Sequence, residues 1–146
     1  MIRVEVTLIV DRPVEQVFAF LGDLENNMKW RPGQIEATKL SAGPIGVGTT
    51  YRMVNSVLGR RLEGEAEVTE YEPNRKFTSI GKSGFMPITA QRIFEPVDGR
   101  TRVTFIAMAE PRGFLELAES LLARRARARL RADVASAKRL LEADAR

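Results

Sequence analysis

The sequence predicts an α+β domain in which a curved antiparallel sheet of about seven strands wraps round one long C-terminal helix. Three observations point there. The chain opens on strictly alternating apolar and polar residues, turn signals recur through residues 31–110, and residues 114–143 hold neither proline nor glycine. A chain of 146 residues is one domain's worth, since single cores run to about 100–200 residues, so one domain over 1–146 is expected.

Met1–Val10 reads as the first strand. Ile2, Val4, Val6, Leu8 and Val10 share one face while Arg3, Glu5 and Thr7 take the other, the period of a half-buried strand. Asp11-Arg12-Pro13 then opens a helix: Asp11 can accept from a free backbone N–H, and proline is tolerated in the first turn. Val14, Val17, Phe18 and Leu21 form its apolar face, Gly22-Asp23 stops it, and Leu24–Met28 reads as a second short helical turn. Trp30-Arg31-Pro32-Gly33 ends the helical stretch. Strands follow at Ile35–Leu40, Thr49–Leu58, Leu62–Tyr71, Lys76–Ile80, Ile88–Glu95 and Thr101–Ala109. Gly43-Pro44, Gly59-Arg60, Pro73-Asn74 and the hairpin signal Asp98-Gly99 separate them, and Gly81–Pro87 reads as a loop or strand end. Strands joined in sequence by tight turns pair antiparallel.

Pro111-Arg112-Gly113 closes the strand region. From Phe114 to about Ala143, the residues Leu115, Ala118, Leu122, Ala126, Leu130, Val134, Ala137 and Leu141 step by three or four. That is one helix of roughly 45 Å at about 1.5 Å per residue. Its apolar line needs a large apolar partner, which the strands supply. A sheet bent round a helix seldom closes on it everywhere, so an interior cavity between the two is expected.

Composition narrows the chemistry. There is no cysteine, which excludes disulfides, thiolate metal sites and a cysteine nucleophile. There is no histidine either, which removes the commonest general base and metal ligand. No cofactor or metal is expected. No apolar run of about 18 residues exists to cross a membrane, and the opening strand lacks the pattern of a signal peptide, so the cytoplasm is the expected compartment. The net charge of +4 is local: residues 112–146 carry nine basic and five acidic side chains, while the rest of the chain balances.

The sequence resembles the helix-grip fold of the START/Bet v 1 superfamily (SRPBCC), and most resembles its bacterial polyketide cyclase/dehydrase and lipid-transport branch. The resemblance runs through Val10–Asp23, Met28-Lys29-Trp30-Arg31-Pro32, Val47-Gly48-Thr49-Thr50-Tyr51, Val68–Phe77 and Phe94–Phe105, and covers nearly the whole chain. These are helix entries, turns and hairpins, which speak for fold rather than activity. The family spans lipid carriers, hormone receptors, aromatase/cyclases and chaperone activators. The resemblance implies a hydrophobic small-molecule ligand.

Residues expected to line the cavity are Trp30, Tyr51, Met53, Phe85, Met86, Gln91, Phe105, Met108, Leu117 and Leu121, since aromatics and methionines make an adaptable wall. Phe85 and Met86, between glycines and a proline, could gate an opening or fold back onto the helix. Tyr51, Arg52, Gln91, Arg92 and Glu110 are the polar groups that could serve a cyclase or dehydratase. Strand alternation turns only one of Tyr51 and Arg52 inward, and only one of Gln91 and Arg92. The arginines read as outer-face charges paired with Glu63, Glu65 or Glu67. The run Arg124–Arg131 holds five arginines in eight residues. It reads as an ion-paired solvated face, or as a surface for an acidic partner or the periphery of an anionic membrane. No aromatic residue is interleaved, which argues against stacking on single-stranded nucleic acid. The glycine-rich Gly43–Gly48 reads as a turn without a nucleotide role. A homodimer stays open. The expected function is binding or carriage of a lipid, polyketide or isoprenoid-like molecule, with a polyketide cyclase/dehydratase, or an interaction module built on the arginine-rich helix, as alternatives.

Overall fold

The structure, a computed structural model, describes residues 1–57, 59–83, 86–111 and 113–143, with the side chains of 57, 83, 86 and 113–115 left aside. Seven strands form one antiparallel sheet: β1 (Ile2–Val10), β2 (Gln34–Lys39), β3 (Thr50–Val57), β4 (Arg60–Glu72), β5 (Lys76–Ser83), β6 (Met86–Val97) and β7 (Arg100–Ala109). Their spatial order is β1-β7-β6-β5-β4-β3-β2. Strands two to seven therefore run as a meander, and the first strand docks on the last, with β1 and β2 left as edges. Between β1 and β2 lie α1 (Val14–Leu21), a 3₁₀ turn (Leu24–Asn26) and α2 (Asn27–Trp30). After β7 come a 3₁₀ helix (Gly113–Ala118) and α3 (Glu119–Ala143).

The hairpins follow their turn chemistry. Asp98 and Gly99 both have positive φ, 52° and 79°, the pairing a two-residue hairpin needs. β5 and β6 reach farther than their sequence suggests. Ser83 pairs with Met86 and Lys82 with Pro87, so most of Gly81–Pro87 is strand. Phe85 lies outside the described residues, as does the side chain of Met86. A register shift between Val68 and Glu70 leaves Thr69 as an extra residue in β4, the kind of bulge that bends a strand.

Two local expectations need correction. Asp11 does not cap α1, whose first turn has no side-chain cap; the Asp11 N–H instead donates to Glu142 Oε2 at 2.8 Å. The terminal helix does not start at Phe114. Residues 113–118 wind as a 3₁₀ helix, with about three residues per turn, before α3 begins at Glu119. Among the described residues, no helix is long and apolar enough to cross a membrane.

α3 runs along the open side of the curl and ties both edges. On the β1 side Lys138 Nζ donates to the Ile9 carbonyl at 2.8 Å, and Glu142 takes the Asp11 N–H. On the β2 side Arg31 Nε lies 3.2 Å from Asp133 Oδ2. The core joins α1 and the second half of α3 to the sheet: Val17, Phe18 and Leu21 meet Phe94, Phe77 and Val103, and Val134, Ala137 and Leu141 close from above. Phe18 meets Phe94 and Tyr71 edge-on at 5.0 and 5.4 Å.

Candidate functional site

The concave face of the sheet is set by strand alternation. Across β5, β6 and β7 the side chains of Phe77, Arg92 and Phe105 sit side by side, since Phe77 pairs with Arg92 and Arg92 with Phe105. Two residues farther along the same face are Ser79, Ala90 and Ala107; beyond them lie Gly81, Ile88 and Ala109. The middle of the inner wall is thus made of small residues.

Arg92 is the feature that the expectation of surface arginines misses. It is 4% exposed. Nη1 donates to the Leu21 carbonyl at 2.7 Å and Nη2 to Asn27 Oδ1 at 3.2 Å, which pins the end of α1 and the start of α2 to the sheet. Its guanidinium carbon lies 5.2 Å from the Trp30 ring centre, 5.7 Å from Phe105 and 5.9 Å from Phe77. Among the described residues, no carboxylate stands within ion-pair distance. Burial, reinforced by the Arg31 charge, pushes Arg92 down to about 9, still cationic at neutral pH. Arg52, by contrast, behaves as expected: its side chain is 42% exposed and pairs with Glu63 at 2.6 Å.

Trp30 is 2% exposed and stands between two cations, with the Arg31 guanidinium 5.5 Å from its ring centre. It meets Phe105 edge-on at 5.9 Å. Its indole Nε1 is buried with no hydrogen-bond partner among the described residues. Tyr51 is fully buried, and its hydroxyl donates to Asp23 Oδ1 at 3.3 Å. Burial first, and the Asp23 charge second, raise the phenol above its ordinary value. Met53 packs partly buried against this core.

Four other expected lining residues are elsewhere. Gln91 and Met108 point to the convex side, because Ala90, Arg92, Phe105 and Ala107 take the inner one. Gln91 Nε2 donates there to Thr78 Oγ1 and Glu70 Oε1 at 3.2 and 3.3 Å. Leu117 and Leu121 are 92% and 51% exposed, each one residue off the line that runs through Ala118 and Leu122. Along that line the helix changes character. Val134, Ala137 and Leu141 are buried, whereas Leu122 and Leu130 are half-buried and Ala126 is exposed. Ala90, Ala107 and Gly81 on the facing sheet are likewise only half-buried. Arg124, Arg125, Arg127 and Arg129 are exposed, and no ion pair joins them to the described residues.

None of the curated proteins matches this chain. Solved structures do, at low identity. TTHA0849 from Thermus thermophilus superposes with a TM-score of 0.83 at 17% identity, over 99% of both chains. The Zhui aromatase/cyclase from Streptomyces sp. R1128 gives 0.77 at 16%, over 99% of this chain and 95% of its own. The di-domain aromatase/cyclase StfQ of the steffimycin biosynthetic pathway gives 0.80 at 15%, over 99% of this chain and 51% of its own. These likenesses establish a shared fold, a bent sheet gripping a terminal helix. Residues 1–142 match the family model described as polyketide cyclase / dehydrase and lipid transport, and the chain belongs to that family.

Proposed function

We propose that the protein binds and carries a hydrophobic small molecule, of lipid, polyketide or isoprenoid-like character, between the concave sheet face and the first half of α3. One observation carries the reading. A single helix line is buried at Val134, Ala137 and Leu141 but half-buried at Leu122 and Leu130 and exposed at Ala126, and the small inner-face residues Ala90 and Ala107 are likewise only half-buried. Helix and sheet part there, and an apolar guest would complete the contact. Burying roughly 300 Å² of ligand at about 25 cal/mol per Å² gives about 7 kcal/mol before association costs. Trp30, Phe105, Tyr51 and Met53 form the inner end of the space. The family's description supports this reading.

The test is native mass spectrometry of the purified protein with organic extraction, followed by titration of Trp30 fluorescence with lipids and polycyclic aromatics. A co-purifying apolar compound, or saturable change in the single tryptophan, is the expected result. A protein that carries nothing and responds to nothing in that panel overturns the reading.

A second reading, a cyclase or dehydratase, is favoured by Arg92, which offers an inward cation able to stabilise an enolate oxygen. It also fits the fold shared with the Zhui aromatase/cyclase. It needs a proton acceptor as well, and Tyr51 is already bonded to Asp23. Turnover of a poly-β-ketone substrate that Arg92→Gln abolishes would select this reading over carriage.

A further inference from the structure

The buried cluster round Trp30, at one end of the concave sheet face, has an unbalanced charge. Arg31, Arg92 and Asp133 gather round Trp30, two cations and one carboxylate. Asp133 is spoken for by Arg31 at 3.2 Å, which leaves Arg92 buried with only neutral partners among the described residues. A buried cation without an anion is costly, because its lost hydration is only partly replaced by a carbonyl, an amide and three ring faces. Two of its five N–H donors are taken by Leu21 and Asn27. Beside it the Trp30 indole N–H is a second donor, more than nine-tenths buried and without an acceptor among the described residues. Positive charge and the buried indole N–H lie in one cluster, and the half-buried Ala90 and Ala107 stand one step along the same face from Arg92 and Phe105.

We propose that the interior site selects an apolar molecule bearing a carboxylate, whose oxygens take the free Arg92 donors and the Trp30 Nε1–H while its hydrocarbon lies along Ala90, Ala107 and the Leu122–Leu130 line of α3. The inference rests on the carrier reading and adds the ligand's charge to it. Carboxylate matches guanidinium geometry, and the charge-assisted bond strengthens away from water.

The experiment compares matched pairs below their aggregation limits at pH 8, by calorimetry and Trp30 fluorescence: decanoate against decan-1-ol, and 2-naphthylacetate against its methyl ester. At least one carboxylate is expected to bind ten-fold or more tightly than its neutral partner. Arg92→Gln is expected to remove that preference, and Arg92→Lys to restore part of it. Equal affinity within every pair that binds overturns this inference and leaves carriage standing. Failure of all four to bind, in a protein that takes up neither lipids nor aromatics, removes both. Should Arg92→Gln fail to fold, the wild-type comparison within each pair still decides.

Discussion

The guanidinium carbon of Arg92 lies 5.2 Å from the centre of the Trp30 ring, so that a cation from the sheet and an indole from α2 form one buried contact. The contact joins two links of the structure. It fixes the short helices on the concave face, and it buries the chain's only tryptophan against the sheet. Arg92 adds hydrogen bonds to Leu21 and Asn27, and Asn27 Nδ2 stands 3.5 Å from Gln34 Oε1, which extends the buried polar path to β2.

Arg92→Ala should therefore destabilise the fold by about 2–4 kcal/mol, since it removes charged hydrogen bonds, orphans the Leu21 carbonyl and Asn27 amide, and opens a void. Arg92→Met should cost less, because it refills the volume and removes a charge with no counter-ion. Urea unfolding of the two variants measures the order. An alanine variant as stable as the methionine one would show that the side chain's packing is unimportant.

The Arg31–Asp133 pair is asymmetric, with side-chain exposures of 32% and 4%. Loss of Arg31 strands a buried carboxylate, whereas loss of the Asp133 charge leaves a cation that water can reach. Arg31→Gln is thus expected to cost about 2–3 kcal/mol and Asp133→Asn about 1 kcal/mol. Denaturant midpoints of both variants give the comparison, and the reverse order would mean that Arg31 is the desolvated partner.

Much of this arrangement was legible before any coordinates. The strand period of two and the helix step of three or four are strong signals, and they yield the sheet, its antiparallel order and the terminal rod. The inward turn of Arg92 was also legible. On β6 the residues Ile88, Ala90, Arg92 and Phe94 are mostly apolar, while Thr89, Gln91, Ile93 and Glu95 are mostly polar, so the pattern outvotes the charge of one side chain. Phe105 and Met108 stand three apart on one strand and cannot share a face, which the same rule reveals. The buried state of Asp133 was not legible, because its partner lies 102 residues away and nothing local marks it. The 3₁₀ winding of Gly113–Ala118 was hidden for a similar reason: its leucines fit a helical step equally well.

The chain has two tyrosines, and burial raises both above the ordinary value of 10.0, with Asp23 adding its charge in each case. An acid whose folded pKa exceeds its unfolded one holds its proton more tightly when folded. Its contribution is complete below about pH 10 and is lost as pH rises beyond it. Tyrosinate absorbance is accordingly expected to appear late, together with loss of tertiary structure, rather than as an independent titration near pH 10. Tyr51→Phe should soften that alkaline transition at a cost of about 1 kcal/mol near neutral pH, for the lost bond to Asp23. A free tyrosine titration in the intact fold would contradict the burial.

Ala90 and Ala107 face each other across β6 and β7 on the inner wall, one step from Arg92 and Phe105. If the space before them is open, a larger side chain there occupies it without strain. Ala107→Phe should then weaken apolar ligand binding ten-fold or more while the melting temperature holds or rises, because added apolar area is buried against α3. If helix and sheet were already in contact, the same change would overpack the core and cost about 1–3 kcal/mol. Calorimetric melting and a ligand titration on this one variant separate the two cases. A destabilised Ala107→Phe would mean that the partial exposure of Leu122 and Leu130 and the full exposure of Ala126 reflect a loosely seated helix end rather than room for a guest, since overpacking requires neighbours close enough to clash.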